Sequence, residues 1–237
     1  MEQATMKALV YHGPNNYSLT DVPVPKIEAP TDVIGRVTLA AICSSDIHTV
    51  RGEVESTPYP KIIGHECCVE IVEVGSEVKN YQAGDRCVVK PGSHCGECLM
   101  CRLGLIAMCE NGGIFGSVGK LQGCHAEYIR IPVADMEGQL YKIPDGMSEE
   151  DIILLPDMLA TGWFGLNNAQ VSEGQTVAII GVGPVGLSTC LLAKKMFGAS
   201  KVIAIDILQY RLDLALKEGI ADVIINPLTD DIAQKIQ

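Results

Sequence analysis

Apolar positions in the first part of the chain come in short runs. Residues 6–11, 33–40, 68–74 and 86–89 are rich in Val, Ile and other strand formers. Turn chemistry separates them: Gly13-Pro14-Asn15-Asn16, Gly75-Ser76, Gly84-Asp85 and Pro144-Asp145-Gly146. Short strands divided by turns predict a β-barrel or sandwich over residues 1–155. After Ser148 the pattern changes. Ser148-Glu149-Glu150 reads as a helix start, with acids where the helix dipole favours them. That helix should carry Leu154, Leu155 and Asp157 toward Trp163. From Thr176 the pattern is βαβαβ. Strands fall at 176–180, 201–205 and 222–225, and helices at 184–197 and 208–218. Pro184 opens the first helix, and Gly198 and Gly219 stop the two. Residues 156–237 therefore read as a second, α/β domain.

Composition narrows the possibilities. Hydrophobic residues make up 47% of 237 residues, enough to bury a core and to argue against general disorder. The net charge of −11 argues against nucleic acid and anionic membrane as partners. The first ten residues hold Glu2 and Lys7 and lack the apolar core of a signal peptide. Residues 174–193 carry no charge, which on hydropathy alone suggests a membrane span. Gly181, Gly183, Pro184 and Gly186 in its middle fit a strand–turn–helix unit better.

Gly181-Val182-Gly183-Pro184-Val185-Gly186 is G-x-G-x-x-G, and alone it is a weak signal. Here it follows a predicted strand, opens a predicted helix and precedes a second strand ending at Asp206, the context a dinucleotide-binding motif needs. Gly181 permits the tight turn, Gly183 lets the backbone approach a pyrophosphate, and Gly186 lets helix and strand pack closely. The start of the helix, Pro184 and Val185, lies at the same position, where the helix N-terminus offers free N–H groups and a positive dipole end to the phosphates. Asp206 would accept hydrogen bonds from the adenosine ribose and repel a 2′-phosphate, which favours NAD over NADP. Arg211 either lines the adenosine pocket or is a solvated helix residue.

Ten cysteines in a chain without a secretion signal point to metal more than to disulfides. Cys95, Cys98, Cys101 and Cys109 form C-x2-C-x2-C-x7-C, which matches a closed tetrahedral zinc site. An iron–sulfur cluster is the competing reading and a disulfide pair the plainer one. The other thiols, Cys67, Cys68, Cys87, Cys124 and Cys190, sit mostly in apolar runs and read as small hydrophobes.

Three further segments gain meaning together: Cys43-Ser44-Ser45-Asp46-Ile47-His48, Gly64-His65-Glu66, and Leu155-Pro156-Asp157-Met158. In this order, with the four-cysteine lobe before the third segment and the glycine motif after it, the chain resembles the zinc-dependent, medium-chain alcohol dehydrogenases. The resemblance runs from about Lys7 onward. It is closest to members with Asp as third zinc ligand, including bacterial secondary alcohol dehydrogenases, some of which lack the lobe. It implies a GroES-like β-barrel catalytic domain followed by the first half of a Rossmann domain. It implies a catalytic zinc on Cys43, His65 and Asp157, with a fourth position open to water or substrate. Glu66 would be a neighbouring or transient ligand, Asp46 would orient His65, and Ser45 would pass the substrate proton toward His48. Zinc would acidify the alcohol, and hydride would pass to NAD.

Two positions depart from the family pattern. Val69 stands where a glycine follows the Gly-His-Glu segment, so either the turn differs or the glycine served to make room. His125 stands where Phe is frequent and reads as a substituted packing residue, while His12 and His94 read as surface or structural. A full dinucleotide domain has two βαβαβ halves, and only the first is visible, so the chain looks C-terminally truncated. Alone it should be a poor dehydrogenase or none, with strand one an exposed edge prone to self-association. The expected protein is a cytoplasmic homo-oligomer carrying two zinc ions and NAD, acting on a small alcohol or carbonyl. Polyol, threonine and formaldehyde dehydrogenases share most of these motifs, and a non-catalytic zinc-binding fragment is the alternative outside enzymes.

Overall fold

The computed structural model describes residues 4–236. Two compact units divide it, Met1–Pro156 and Asp157–Gln237. In the first unit the chain runs β1 (Thr5–Gly13), β2 (Asn16–Pro23), β3 (Val33–Ala41), α1 (Ser44–Val50), β4 (Lys61–Ile62), β5 (Glu66–Val74), β6 (Arg86–Val89) and β7 (Gly92–Ser93). It continues through α2 (Leu99–Arg102), β8 (Gly113–Ile114), β9 (Tyr128–Ile131), β10 (Leu140–Lys142) and α3 (Glu149–Ile152). The second unit holds α4 (Ala160–Asn168), β11 (Thr176–Ile180), α5 (Pro184–Lys195), β12 (Lys201–Ile205), α6 (Gln209–Lys217), β13 (Val223–Ile225) and α7 (Ile232–Ile236).

The predicted barrel is not closed among the described residues. The strands form a three-stranded sheet, β2-β1-β4, and a five-stranded sheet, β10-β6-β5-β3-β9, with a small β7-β8 pair beside them. The stretch 123–127 stitches the two larger sheets together without becoming a ladder. Leu9 N–H donates to His125 O, His125 N–H to Ile63 O and Val37 N–H to Glu127 O, but β1 meets this stretch in a single bridge, Ala8–Ala126. The β3–β9 pairing ends at Arg36–Tyr128, and a bulge between Val37 and Leu39 shifts the register of β3 against β5 just beyond it.

The core of the first unit lies on the five-stranded sheet and is built from Val33, Val69, Ile71, Val89, Phe115, Ile129 and Ile131 with Cys67, Cys87 and Cys124 among them. Burial acts on several of the apolar-run thiols. It pushes Cys68 and Cys87 up to about 12 and Cys190 in the second unit to about 11, and Cys67 is raised by a hydrogen bond with Cys124 and by its own burial. Val69 sits inside β5, opposite Val37 and Cys87. The room a glycine would have given comes from the neighbouring strand instead: a Cβ on Gly35 would meet Val69 Cβ at 2.7 Å.

Ser148 caps α3 as the sequence suggests, exchanging hydrogen bonds with Asp151. The single helix expected through Asp157 does not form. α3 stops at Ile152, a π-helical turn covers Leu155–Leu159, and α4 begins at Ala160. Pro156 explains the break, since it has no N–H to continue an α-helical ladder.

The second unit is a parallel three-stranded sheet in the order β11-β12-β13. Its core includes Ile179, Val182, Cys190, Val202, Ala204 and Leu212. The uncharged stretch 174–193 is β11, the glycine turn and most of α5. No described helix is long and apolar enough to cross a membrane.

Candidate metal and dinucleotide sites

Antiparallel pairing of β3 with β5 sets Ala41 opposite Glu66 and Ala40 opposite Cys67. The chain leaving β3 therefore reaches Cys43 beside the residue entering β5, His65. Cys43 is the N-cap of α1, and Asp46 closes a capping box on it: Cys43 N–H donates to Asp46 Oδ2 at 2.9 Å. The other carboxylate oxygen of Asp46 lies 3.2 Å from His65 Nδ1. One aspartate thus starts the helix and orients the histidine, leaving Nε2 for the site.

His65 and Asp46 are 5% and 6% exposed. Burial works to raise the Asp46 pKa, but the hydrogen bonds from His65 and Cys43 outweigh it and hold the carboxyl below its ordinary value. The Cys43 thiol is drawn down mainly by its hydrogen bond with His65. The ligand atoms of Cys43, His65 and Asp157 all lie within 4.8 Å of one another. Asp157 directly follows Pro156, the last residue of the first unit. It lies in the π-helical turn and accepts a hydrogen bond from Thr161 Oγ1 at 3.2 Å. Such turns recur at functional sites because they re-aim a side chain out of helical register.

The remaining residues of this group divide. Glu66 is fully buried at the start of β5. Ser45 is exposed, its hydroxyl 3.5 Å from His65 Nε2. His48 is on the exposed side of α1, its Nδ1 bonded to the carboxylate of Glu53.

In the lobe, β7 and β8 form a narrow base. Cys98 caps α2, Cys101 lies within it, and Cys109 follows the short turn Ile106–Met108. The sulfurs converge: Cys98 to Cys101 is 3.5 Å, Cys98 to Cys109 3.9 Å and Cys109 to Cys95 3.6 Å. Four sulfurs at about 2.3 Å from a tetrahedral zinc stand roughly 3.8 Å apart. All four are free thiols. Backbone N–H groups point at them, Cys95 N–H to Cys109 Sγ and Cys98 N–H to Cys95 Sγ. The N–H groups of Glu97 and Cys98 bring Cys95 down to about 6, whereas Cys101 is pushed up to about 12 by desolvation and its sulfur neighbours. Four crowded thiols cannot all ionise without a cation among them.

In the second unit, Gly181 turns with φ +84° and a Cβ on Gly186 would meet Gly181 O at 1.9 Å, so the third glycine allows the close helix–strand approach. Gly183 caps α5, with Pro184 at its first turn and Val185 after it. Asp206 is buried at the end of β12 and accepts hydrogen bonds from Val182 N–H and Leu208 N–H, each 2.8 Å. It ties the glycine turn to the second strand, which sequence reasoning did not anticipate. Desolvation opposes its ionisation, but those N–H groups and Arg211 hold its pKa below the ordinary value. Arg211 Nη1 is 3.6 Å from Asp206, and its Nε donates to the Tyr210 hydroxyl.

A β-rich unit with two clusters of zinc-type ligands, next in sequence to a glycine-turn βαβαβ unit, defines a metal-dependent dehydrogenase architecture. The alcohol dehydrogenase GroES-like domain family matches residues 29–145. Zinc-type alcohol dehydrogenase B of Aspergillus flavus is 41% identical over 221 residues, covering 90% of this chain and 50% of that protein. The medium chain reductase/dehydrogenase ucsI of Acremonium sp is 37% identical, covering 92% of this chain and 76% of that protein. Among solved structures, alcohol dehydrogenase TADH from Thermus sp. ATN1 superposes with a TM-score of 0.88 at 34% identity, covering 98% of this chain and 66% of that one. The chain belongs to the zinc-dependent medium-chain alcohol dehydrogenase family. It spans half the length of the Aspergillus relative.

Proposed function

We propose that this chain carries the metal-binding and adenosine-binding parts of an NAD-dependent alcohol dehydrogenase, acting on a small secondary alcohol or the matching carbonyl. One observation carries the reading. A thiol, an imidazole and a carboxylate from three distant segments bring their ligand atoms within 4.8 Å, with the imidazole oriented from behind by Asp46. That donor set suits zinc with a position left for substrate. Cys43, His65 and Asp157 would hold the zinc, which when bound would supply a Lewis acid favouring loss of the alcohol proton. Ser45 offers a hydroxyl beside His65 for that proton, and His48, exposed and paired with Glu53, would take it on through the cofactor ribose and pass it to solvent. Glu66, next to His65 in the chain and fully buried, would serve as a neighbouring or transient ligand. A second zinc belongs on Cys95, Cys98, Cys101 and Cys109, where the sulfur spacing favours a mononuclear tetrathiolate.

Residues 181–186 offer the pyrophosphate cradle and Asp206 the ribose acceptor. A carboxylate at that point opposes a 2′-phosphate, so NAD is the expected cofactor. Thiolate ligands favour a reducing compartment, and the cytoplasm is the one we assign. β11 is an edge of its sheet among the described residues, with Ile180 84% exposed, and this supports assembly with a second copy.

The test is steady-state NADH formation by the purified chain over a panel of secondary alcohols, polyols and threonine, run beside zinc analysis and NAD titration. Two zinc ions, weak NAD binding and low turnover are expected. Absence of metal from the Cys43 site would remove the reading altogether.

A further inference from the structure

We infer that His125 is a positioning residue for the metal site, resting on the assignment of Cys43 and His65 as ligands. Its ring links the two segments that present those ligands. Nε2 donates to Ala41 O at 3.0 Å, two residues before Cys43. The ring lies against Gly64, the residue before His65, so closely that a Cβ there would fall 2.4 Å from His125 Cδ2. Gly64 has φ +93°, which suits glycine and leaves the site open to the ring.

The backbone reinforces the same link. His125 N–H donates to Ile63 O, Cys124 N–H donates to Gly64 O, and His125 O accepts from Leu9 N–H. Gly123 is equally constrained, since a Cβ there would meet Ile63 O at 2.2 Å. The segment 123–125 is therefore seated on 62–64 with no slack, and the side chain of His125 reaches across to the end of β3.

The end of β3 needs such a tie. The β3–β5 ladder ends at Ala41–Glu66, so the antiparallel pairing does not itself extend to Cys43. The hydrogen bond from His125 to Ala41 O fixes the last paired residue from the side. A phenylalanine at this position would fill the volume beside Gly64 but could not donate to Ala41 O. The polar replacement thus has a use that packing alone does not give it. Asp46 orients His65 within the site, and His125 sets the spacing between the chain entering Cys43 and the chain entering His65.

The experiment uses the full chain with cobalt in place of zinc, comparing wild type with His125→Phe and His125→Gln. Chelator competition gives the affinity of each site, and the thiolate-to-cobalt charge-transfer intensity separates the four-thiolate site from the single-thiolate one. His125→Phe should weaken the Cys43 site about tenfold, the scale expected for a supporting residue outside the ligand set. It should also shift that site's cobalt bands while leaving the lobe unchanged. His125→Gln, which keeps an N–H donor, should restore most of the affinity. If packing were the whole role, His125→Phe would bind like wild type and His125→Gln would be the weaker, and that outcome overturns the inference. Wild-type chain with cobalt in the lobe only would instead overturn the metal-site assignment beneath it.

Discussion

The lobe draws its four thiols from one short stretch between Cys95 and Cys109, while the other centre gathers Cys43, His65 and Asp157 from three separate segments. The lobe thiols are only half-buried and are held by local turns, caps and N–H···S hydrogen bonds. The second centre is set by strand register, a helix cap and a π-helical turn, and its histidine is buried. Four thiolates around one cation make a closed site suited to holding structure together. Three mixed ligands leave a position for substrate. The difference shows why a structural centre can be built locally and a reactive one is assembled from a distance: an open coordination position must face a cavity, and only separated elements can wall one.

The largest effect that would test this contrast is loss of the lobe metal. Cys98→Ser should abolish one zinc per chain by elemental analysis and leave the other in place. Loss of both would show that the centres are not independent. In the metal-free chain, alkylation at Cys95 should rise with a midpoint near pH 6, because its thiolate forms above that value, and Cys101 should lag far behind.

Asp46→Asn comes next. It removes the charge facing His65 Nδ1 while keeping the side-chain shape, and should weaken metal at the Cys43 site by about 10–100-fold. Chelator competition should show the lobe unchanged. Equal weakening of both centres would mean that Asp46 acts on the fold as a whole.

Asp206→Gly addresses the dinucleotide unit. It removes the proposed acceptor for the ribose and the bonds from Val182 N–H and Leu208 N–H. Titration should show NAD binding weakened about tenfold or more, since a charge-assisted hydrogen bond contributes about 1.5–3 kcal/mol, and the gap to NADP narrowed. An unchanged preference would take Asp206 away from the ribose.

The smallest effect is expected from Thr161→Val. Its hydroxyl donates to the carboxylate of Asp157 at a solvent-exposed position, where a hydrogen bond contributing about 1 kcal/mol implies a few-fold loss of metal at the Cys43 centre. No change there would show that Asp157 is aimed by its π-helical turn alone.

What the sequence by itself determined is what short stretches of chain control. The strands 86–89, 176–180 and 201–205 end where apolar runs meet turn residues. The G-x-G-x-x-G turn, the Ser148 cap and the four-cysteine spacing are likewise local, because one turn's geometry or one metal's radius decides them. Tertiary structure decided the rest. β2, β9 and β10 were not foreseen: β2 is mostly exposed and β9 and β10 are short, so each is stabilised by its neighbour in the sheet more than by its own pattern. The meeting of Cys43 with His65 depends on the β3–β5 register, which the family resemblance implied and composition could not. Gly35 standing in for the glycine absent at Val69 is invisible along the chain, because the two residues touch only across the sheet. So is the tie from His125 to Ala41, which joins residues far apart in sequence. Local propensity fixes the elements whose patterns are strong. Which side chains they bring within bonding distance is set by register and close packing, and these exist only once the sheets have assembled.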